Sequence, residues 1–121
     1  MRFSQKHILF FITAAIVTST LVAYEPIRHN NFVSYDDDLY IMKNPIVTGG
    51  ITGDSIILAF TKLYAANWHP ITWLSHILDY QLFGLNPLGH HLVSVGIHII
   101  NALLLFWIFH ISNYIEIYMT N

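Results

Sequence analysis

The sequence predicts an all-α membrane protein: two transmembrane helices flanking an extracytoplasmic loop that carries two short amphipathic interfacial helices. Three observations predict it. Apolar residues make up 55% of the 121 positions and charged residues only 10%, a richer apolar share than a soluble domain of this length usually carries. Two long runs, 7–24 and 92–111, hold no formal charge with histidine counted neutral. Between them lies a segment broken by all four prolines and the Gly49-Gly50 and Gly53 cluster, the punctuation of several short elements. The formal charge of −2 gives no basis for a nucleic-acid partner. With no cysteine there is neither a disulfide nor a thiolate metal site.

Residues 1–6 form a short cytoplasmic N-terminus holding Arg2 and Lys6. The run "HILFFITAAIVTSTLVAY" at 7–24 spans roughly 27 Å as a helix, just enough to cross a hydrocarbon core. Arg2 and Lys6 would also suit the basic start of a secretory signal. Leu21, however, stands where a small residue is wanted three places before a cut after Ala23, so an uncleaved anchor is the preferred reading. Basic residues ahead of the first span tend to stay cytoplasmic. The loop 25–91 is then extracytoplasmic, the second span occupies 92–111, and a short cytoplasmic tail follows at 112–121.

Inside the loop, Ile56, Phe60, Leu63 and Tyr64 recur at helical spacing with Thr61 and Lys62 opposite. They predict a helix over about 53–64, started by Thr52 or Asp54. A second helix is predicted over about 70–84, because Pro70 suits a first turn and Gly84 a C-terminal stop. Its residues Ile71, Leu74, Ile77, Leu78 and Leu82 share one face, with Thr72, Ser75, His76 and Asp79 opposite. With Trp68 and Trp73 beside it, this helix could lie in the membrane interface. The same pattern fits packing on other protein with a wetted polar side.

Two clusters could carry chemistry. The second span presents His91, Ser94, His98 and Asn101 on one face. Such a seam either lines a cavity or bonds to neighbouring membrane helices. "YDDDLY" sets Asp36, Asp37 and Asp38 among Phe32, Tyr35 and Tyr40. A run of like charge is by default a solvated loop. Crowding and partial burial favour the protonated form of a carboxylate, and one tuned in that way can serve as a general base toward a hydroxyl. No metal centre is expected. His90-His91 with the aspartates could offer ligands, but a paired-histidine zinc helix is missing and adjacent histidines diverge on a helix.

The strings "NNFVSYDDDLYIMKNPIV", "YAANWHPITWLSHILDYQLFGLNPLGHHL" and "HIINALLLF" resemble the start of a membrane glycosyltransferase group. These are the protein O-mannosyltransferase-like enzymes of the GT-C fold that carry C-terminal tetratricopeptide repeats. The resemblance runs from about Asn30 to Phe106. It implies an acidic motif whose pair falls on Asp36 and Asp37, with Ile41 and Asn44 downstream and Asp38 as a third candidate for the base. That base would deprotonate an acceptor hydroxyl, on a protein Ser/Thr or another molecule. The hydroxyl would attack the sugar of a polyprenyl-phosphate-linked donor with inversion. Trp68, His69, His90 and His91 would contact the cavity or the donor phosphate. No cofactor is expected beyond that lipid-linked donor, with a divalent metal left open, and a bacterial inner membrane is preferred over an endoplasmic reticulum. Ser94 stands where the group usually has Asn. Its members continue through many more membrane helices and then repeats, so the resemblance implies the N-terminal part of such an enzyme, inactive alone. The alternative is a small non-catalytic membrane protein that packs with other membrane helices.

Overall fold

The computed structural model describes residues 4–119. Among them every regular element is helical, and two helices are long and apolar enough to cross a membrane. The first is α1, Gln5–Ala23, and the last is α5, Pro87–Met119. The apolar window of α1 buries none of its residues inside the protein and that of α5 only 6%. A soluble core helix would be mostly covered, so this exposure fits helices solvated by lipid.

The chain divides into two compact units, Met1–Pro26 with Ser94–Asn121, and Ile27–Val93. In the first, the Tyr24 ring lies 5.5 Å from that of His98. Near the other end Lys6, Leu9, Phe10, Thr13 and Trp107 line a shared groove. The two helices of this unit therefore run antiparallel. Ser19 and Thr20 donate their hydroxyls to the Ile16 carbonyl oxygen at 3.1 and 2.8 Å, which removes two polar groups from the apolar surface at little cost.

The second unit has a core of its own. After a 3₁₀ turn, Glu25–His29, and a π-type turn, Asp38–Met42, come α2 (Pro45–Thr48), α3 (Gly53–Thr61) and α4 (Pro70–Phe83). Ile41, Ile46, Val47, Ala59, Trp73 and Ile77 pack together, flanked by Phe32, Tyr40, Leu58, Tyr64, Leu74 and Tyr80. A capping box starts α3: Thr52 Oγ1 accepts from Ser55 N, and Ser55 Oγ accepts from Thr52 N.

The structure shifts several expected boundaries. The expected helix over 53–64 ends at Thr61, and Tyr64 instead pairs with Asn67 across a tight turn. The buried side of α3 is its small residues, Ser55 and Ala59, while Ile56, Ile57 and Phe60 are exposed. On α4 the expected apolar face splits: Ile77 joins Trp73 in the core, whereas Ile71, Leu78 and Leu82 stay outside. Asp79, expected on the wetted side, is buried at 4% exposure. The span expected at 92–111 belongs to a helix that begins at Pro87, because the Asn86 side chain accepts from Leu88 N at 3.1 Å and Pro87 suits a first turn.

Candidate functional site

The acidic turn is held by residues around it rather than by its own aspartates. Ile41, three places beyond Asp38, is sunk in the core. Asn44 has no exposed surface: its Oδ1 accepts from Ile46 N at 3.0 Å and its Nδ2 donates to the Tyr40 carbonyl oxygen at 3.2 Å. It caps α2 and closes the turn behind the carboxylates in one step. Ile41 and Asn44 are thus anchors of the acidic turn.

The three carboxylates differ. Asp37 is half-buried and its Oδ2 accepts from Val33 N at 2.8 Å. Asp38 Oδ2 lies 2.7 Å from Lys43 Nζ. Asp36 is exposed, and among the described residues no hydrogen bond or ion pair engages its carboxylate. A base must be reachable by the proton it takes, and Asp36 meets that condition most openly.

The segment before the aspartates reaches the start of α5. The Phe32 ring lies 5.3 Å from that of His90 and 6.1 Å from that of His91. His91 is half-buried, with its Nε2 shielded from solvent and without a hydrogen-bond partner. Trp68 and His69 are exposed and connect to the acidic turn through aromatic neighbours. His69 stacks toward Trp73 at 6.4 Å, Trp73 meets Tyr40 at 5.0 Å, and Trp68 Nε1 donates to the Phe60 carbonyl oxygen at 2.8 Å. Ala65 and Ala66, both at positive φ, make the turn that presents this pair. Asn67 secures it through its Nδ2, which donates to Ala65 O and to the Tyr40 hydroxyl.

Beneath the acidic turn sits a cluster the sequence reading did not assemble. His76 and Asp79, on α4, meet His90 of α5; each offers one ligand atom, and these atoms lie within 4.8 Å of one another. Both His76 Nδ1 and His90 Nδ1 are 3.9 Å from Asp79 Oδ2. Burial, then the neighbouring His90, holds the His76 imidazole below its usual range, while Asp37 pulls the other way. Burial lifts the Asp79 carboxyl, offset in part by His90. The Asp37 carboxylate acts on the same His76 ring, which links the acidic turn electrostatically to this cluster. From the sequence, His90 and His91 with the aspartate run are weighed as ligands and set aside; the structure instead brings His90 to His76 and Asp79. The His76-x-x-Asp79 spacing puts both on one helix face, which was the available signal; the third member depends on the turn after α4.

Two glycines make that turn. Gly84 adopts φ 60°, a conformation that costs other residues, and its carbonyl oxygen lies 2.9 Å from His90 Nε2. Gly89 sits against Phe83, where a β-carbon would collide with the ring. Farther along α5, Ser94, His98 and Asn101 are exposed. Comparison with family models, curated proteins and solved structures finds no match for this chain.

Proposed function

We propose that this chain is the N-terminal, acidic-loop portion of a membrane glycosyltransferase that uses a polyprenyl-phosphate-linked sugar and a hydroxyl acceptor. The observation that carries the reading is the division of labour among the three aspartates. Two are tied to Val33 and Lys43, and Asp36 is left exposed on an anchored turn. Asp36 takes the acceptor proton as the hydroxyl oxygen bonds to the anomeric carbon; the bond from that carbon to the phosphate oxygen breaks, and polyprenyl phosphate leaves with the electron pair. Asp37, through its bond to Val33, fixes the turn.

The exposed apolar residues of the loop unit, among them Ile57, Phe60, Leu63, Trp68 and Ile71, support contact with a membrane interface, where a lipid-linked donor presents its headgroup. The antiparallel pairing of the two long helices supports placing the start of α1 and the end of α5 on one side of the membrane, and the basic Arg2 and Lys6 favour the cytoplasmic side for it. His98 and Asn101, polar and exposed on an apolar helix, favour packing against further membrane helices, which the donor pocket requires.

In membranes expressing the natural gene product, Asp36→Asn should lower sugar transfer to a hydroxyl acceptor by at least about a hundredfold, the lower range for losing a general base. Asp38→Asn should cost far less. Wild-type transfer by Asp36→Asn would overturn the assignment. A reporter inserted at Gly53, where added atoms meet open space, should be extracytoplasmic; a cytoplasmic signal would invert the topology.

A further inference from the structure

His90 Nε2 lies 2.9 Å from the Gly84 carbonyl oxygen. A carbonyl can only accept, so the ring proton sits on Nε2 and a neutral His90 turns the lone pair of Nδ1 toward Asp79. From the other side His76 Nδ1, shielded from solvent and without a hydrogen-bond partner, addresses the same Asp79 Oδ2. Each nitrogen stands 3.9 Å from that oxygen, beyond hydrogen-bond reach. With His76 in the tautomer that protonates Nε2, three electron-rich atoms converge in a largely buried place, where facing lone pairs are costly unless a proton or a metal cation lies between them.

We propose that His76, Asp79 and His90 bind one zinc-class divalent cation. Two ligand atoms each about 2.0–2.2 Å from such an ion stand roughly 3.4 Å apart at a tetrahedral angle and at most roughly 4.3 Å apart, so both 3.9 Å edges admit an ion once they contract by about half an ångström. The remaining edge is no longer than 4.8 Å, and rotation of the half-buried His76 ring is the movement that would close it. Two imidazoles and one carboxylate suit zinc and its late first-row neighbours; magnesium and calcium want oxygen-rich shells. The bond from His90 Nε2 to a backbone carbonyl is the outer-shell support that orients a ligating histidine. Three protein ligands leave a fourth position for water. Because two ligands come from α4 and one from the start of α5, the ion also clamps the turn at Gly84.

The cation site shares His90 with the glycosyltransferase reading but does not rest on it, and is tested without any transfer assay. The full chain, purified in detergent and stripped with a chelator, is titrated with Co²⁺ as the spectroscopic probe. One Co²⁺ per chain should bind, with the visible bands of a four- or five-coordinate site, and an equimolar addition of Zn²⁺ should displace it. His76→Asn, at the more exposed ligand, should weaken binding by more than the roughly 10–100-fold that loss of an outer-shell partner costs. His29→Asn, in the exposed 3₁₀ turn, should leave it unchanged. Zinc-edge X-ray absorption of the wild-type chain should show two imidazole ligands, whatever the fate of the variants. No stoichiometric binding at equal micromolar concentrations, undiminished binding by a helical His76→Asn, or a spectrum with fewer than two imidazoles would each overturn the site.

Discussion

The two units of this chain solve opposite problems. In the unit of α1 and the distal part of α5, large apolar side chains such as Phe10, Val22, Leu105 and Ile108 face outward. The Ser19 and Thr20 hydroxyls of α1 turn back on their own helix. In the loop unit the reverse holds: Asn44, Ser55, Asp79 and His90 are buried beside Trp73 and Ile77, and each polar group depends on a partner far along the chain or on a particular turn. The first unit is specified by composition and the second by tertiary geometry. Substitutions should therefore weigh very differently in the two.

The sharpest contrast sets Trp73 against Val22. Trp73 has no exposed surface and meets Tyr40, Tyr64 and His69. Trp73→Ala should destabilise the loop unit by about 3–5 kcal/mol, the range for truncating a buried large aromatic. Val22→Ala, on the outside of α1, should stay within roughly 0.5 kcal/mol. Detergent-solubilised chain, unfolded by heat and followed by circular dichroism, measures both. Similar losses would mean that α1 has a protein partner over Val22 and that the contrast fails.

Asn44→Ala comes next. It removes the cap on Ile46 N and the donor to the Tyr40 carbonyl, both in a fully buried place. A cost of about 1–3 kcal/mol is expected in the same melting experiment, in the range for buried groups left without partners. Because Asn44 closes the acidic turn, Asp36 should also become harder to place. Gly89→Ala belongs in the same range. A β-carbon there meets the Phe83 ring, and forcing either element to shift costs about 1–3 kcal/mol. If Gly89→Ala melts as the wild type does, the close approach of α5 to Phe83 is wrong, and with it the placement of His90 over Asp79.

This difference between the units also decides what could be read in the sequence. Charge-free runs announce both long helices, since lipid asks only for length and apolar content. Pro70 and Gly84 mark α4 because they act locally. Asn86 and Pro87 act locally too, and reading them as a cap would have placed His90 and His91 in the first turns of α5. The burial of Asp79 was not legible, because it requires Gly84 at φ 60° and Gly89 against Phe83 to bring the first turn of α5 beside α4. The separate tasks of Asp36, Asp37 and Asp38 were equally hidden, since they depend on which carboxylate meets Val33 N and which meets Lys43. On α3 the size of the side chains misleads: the small Ser55 and Ala59 face the core because α4 approaches closely, and Ile56, Ile57 and Phe60 are left outside.

The smallest expected effect tests whether the loop unit spends stability on geometry. Ala65 and Ala66 sit at φ 50° and 61°, a left-handed pair that costs residues with a β-carbon roughly 1 kcal/mol or more each. The turn is kept by Asn67, through its donation to Ala65 O at 2.9 Å and to the Tyr40 hydroxyl at 2.6 Å. Ala66→Gly relieves the strain at one position but frees the unfolded chain by about 0.4–1 kcal/mol. The two effects nearly cancel, so melting should change little, with at most a small gain. Asn67→Ala, which removes the restraint instead, should loosen the turn and broaden the fluorescence of Trp68. If Ala66→Gly is strongly destabilising, the left-handed pair is not the native turn, and Trp68 and His69 are presented by some other arrangement. If it is neutral while Asn67→Ala is not, the strain is held by side-chain hydrogen bonds that tie this turn to Tyr40, two residues beyond the last aspartate.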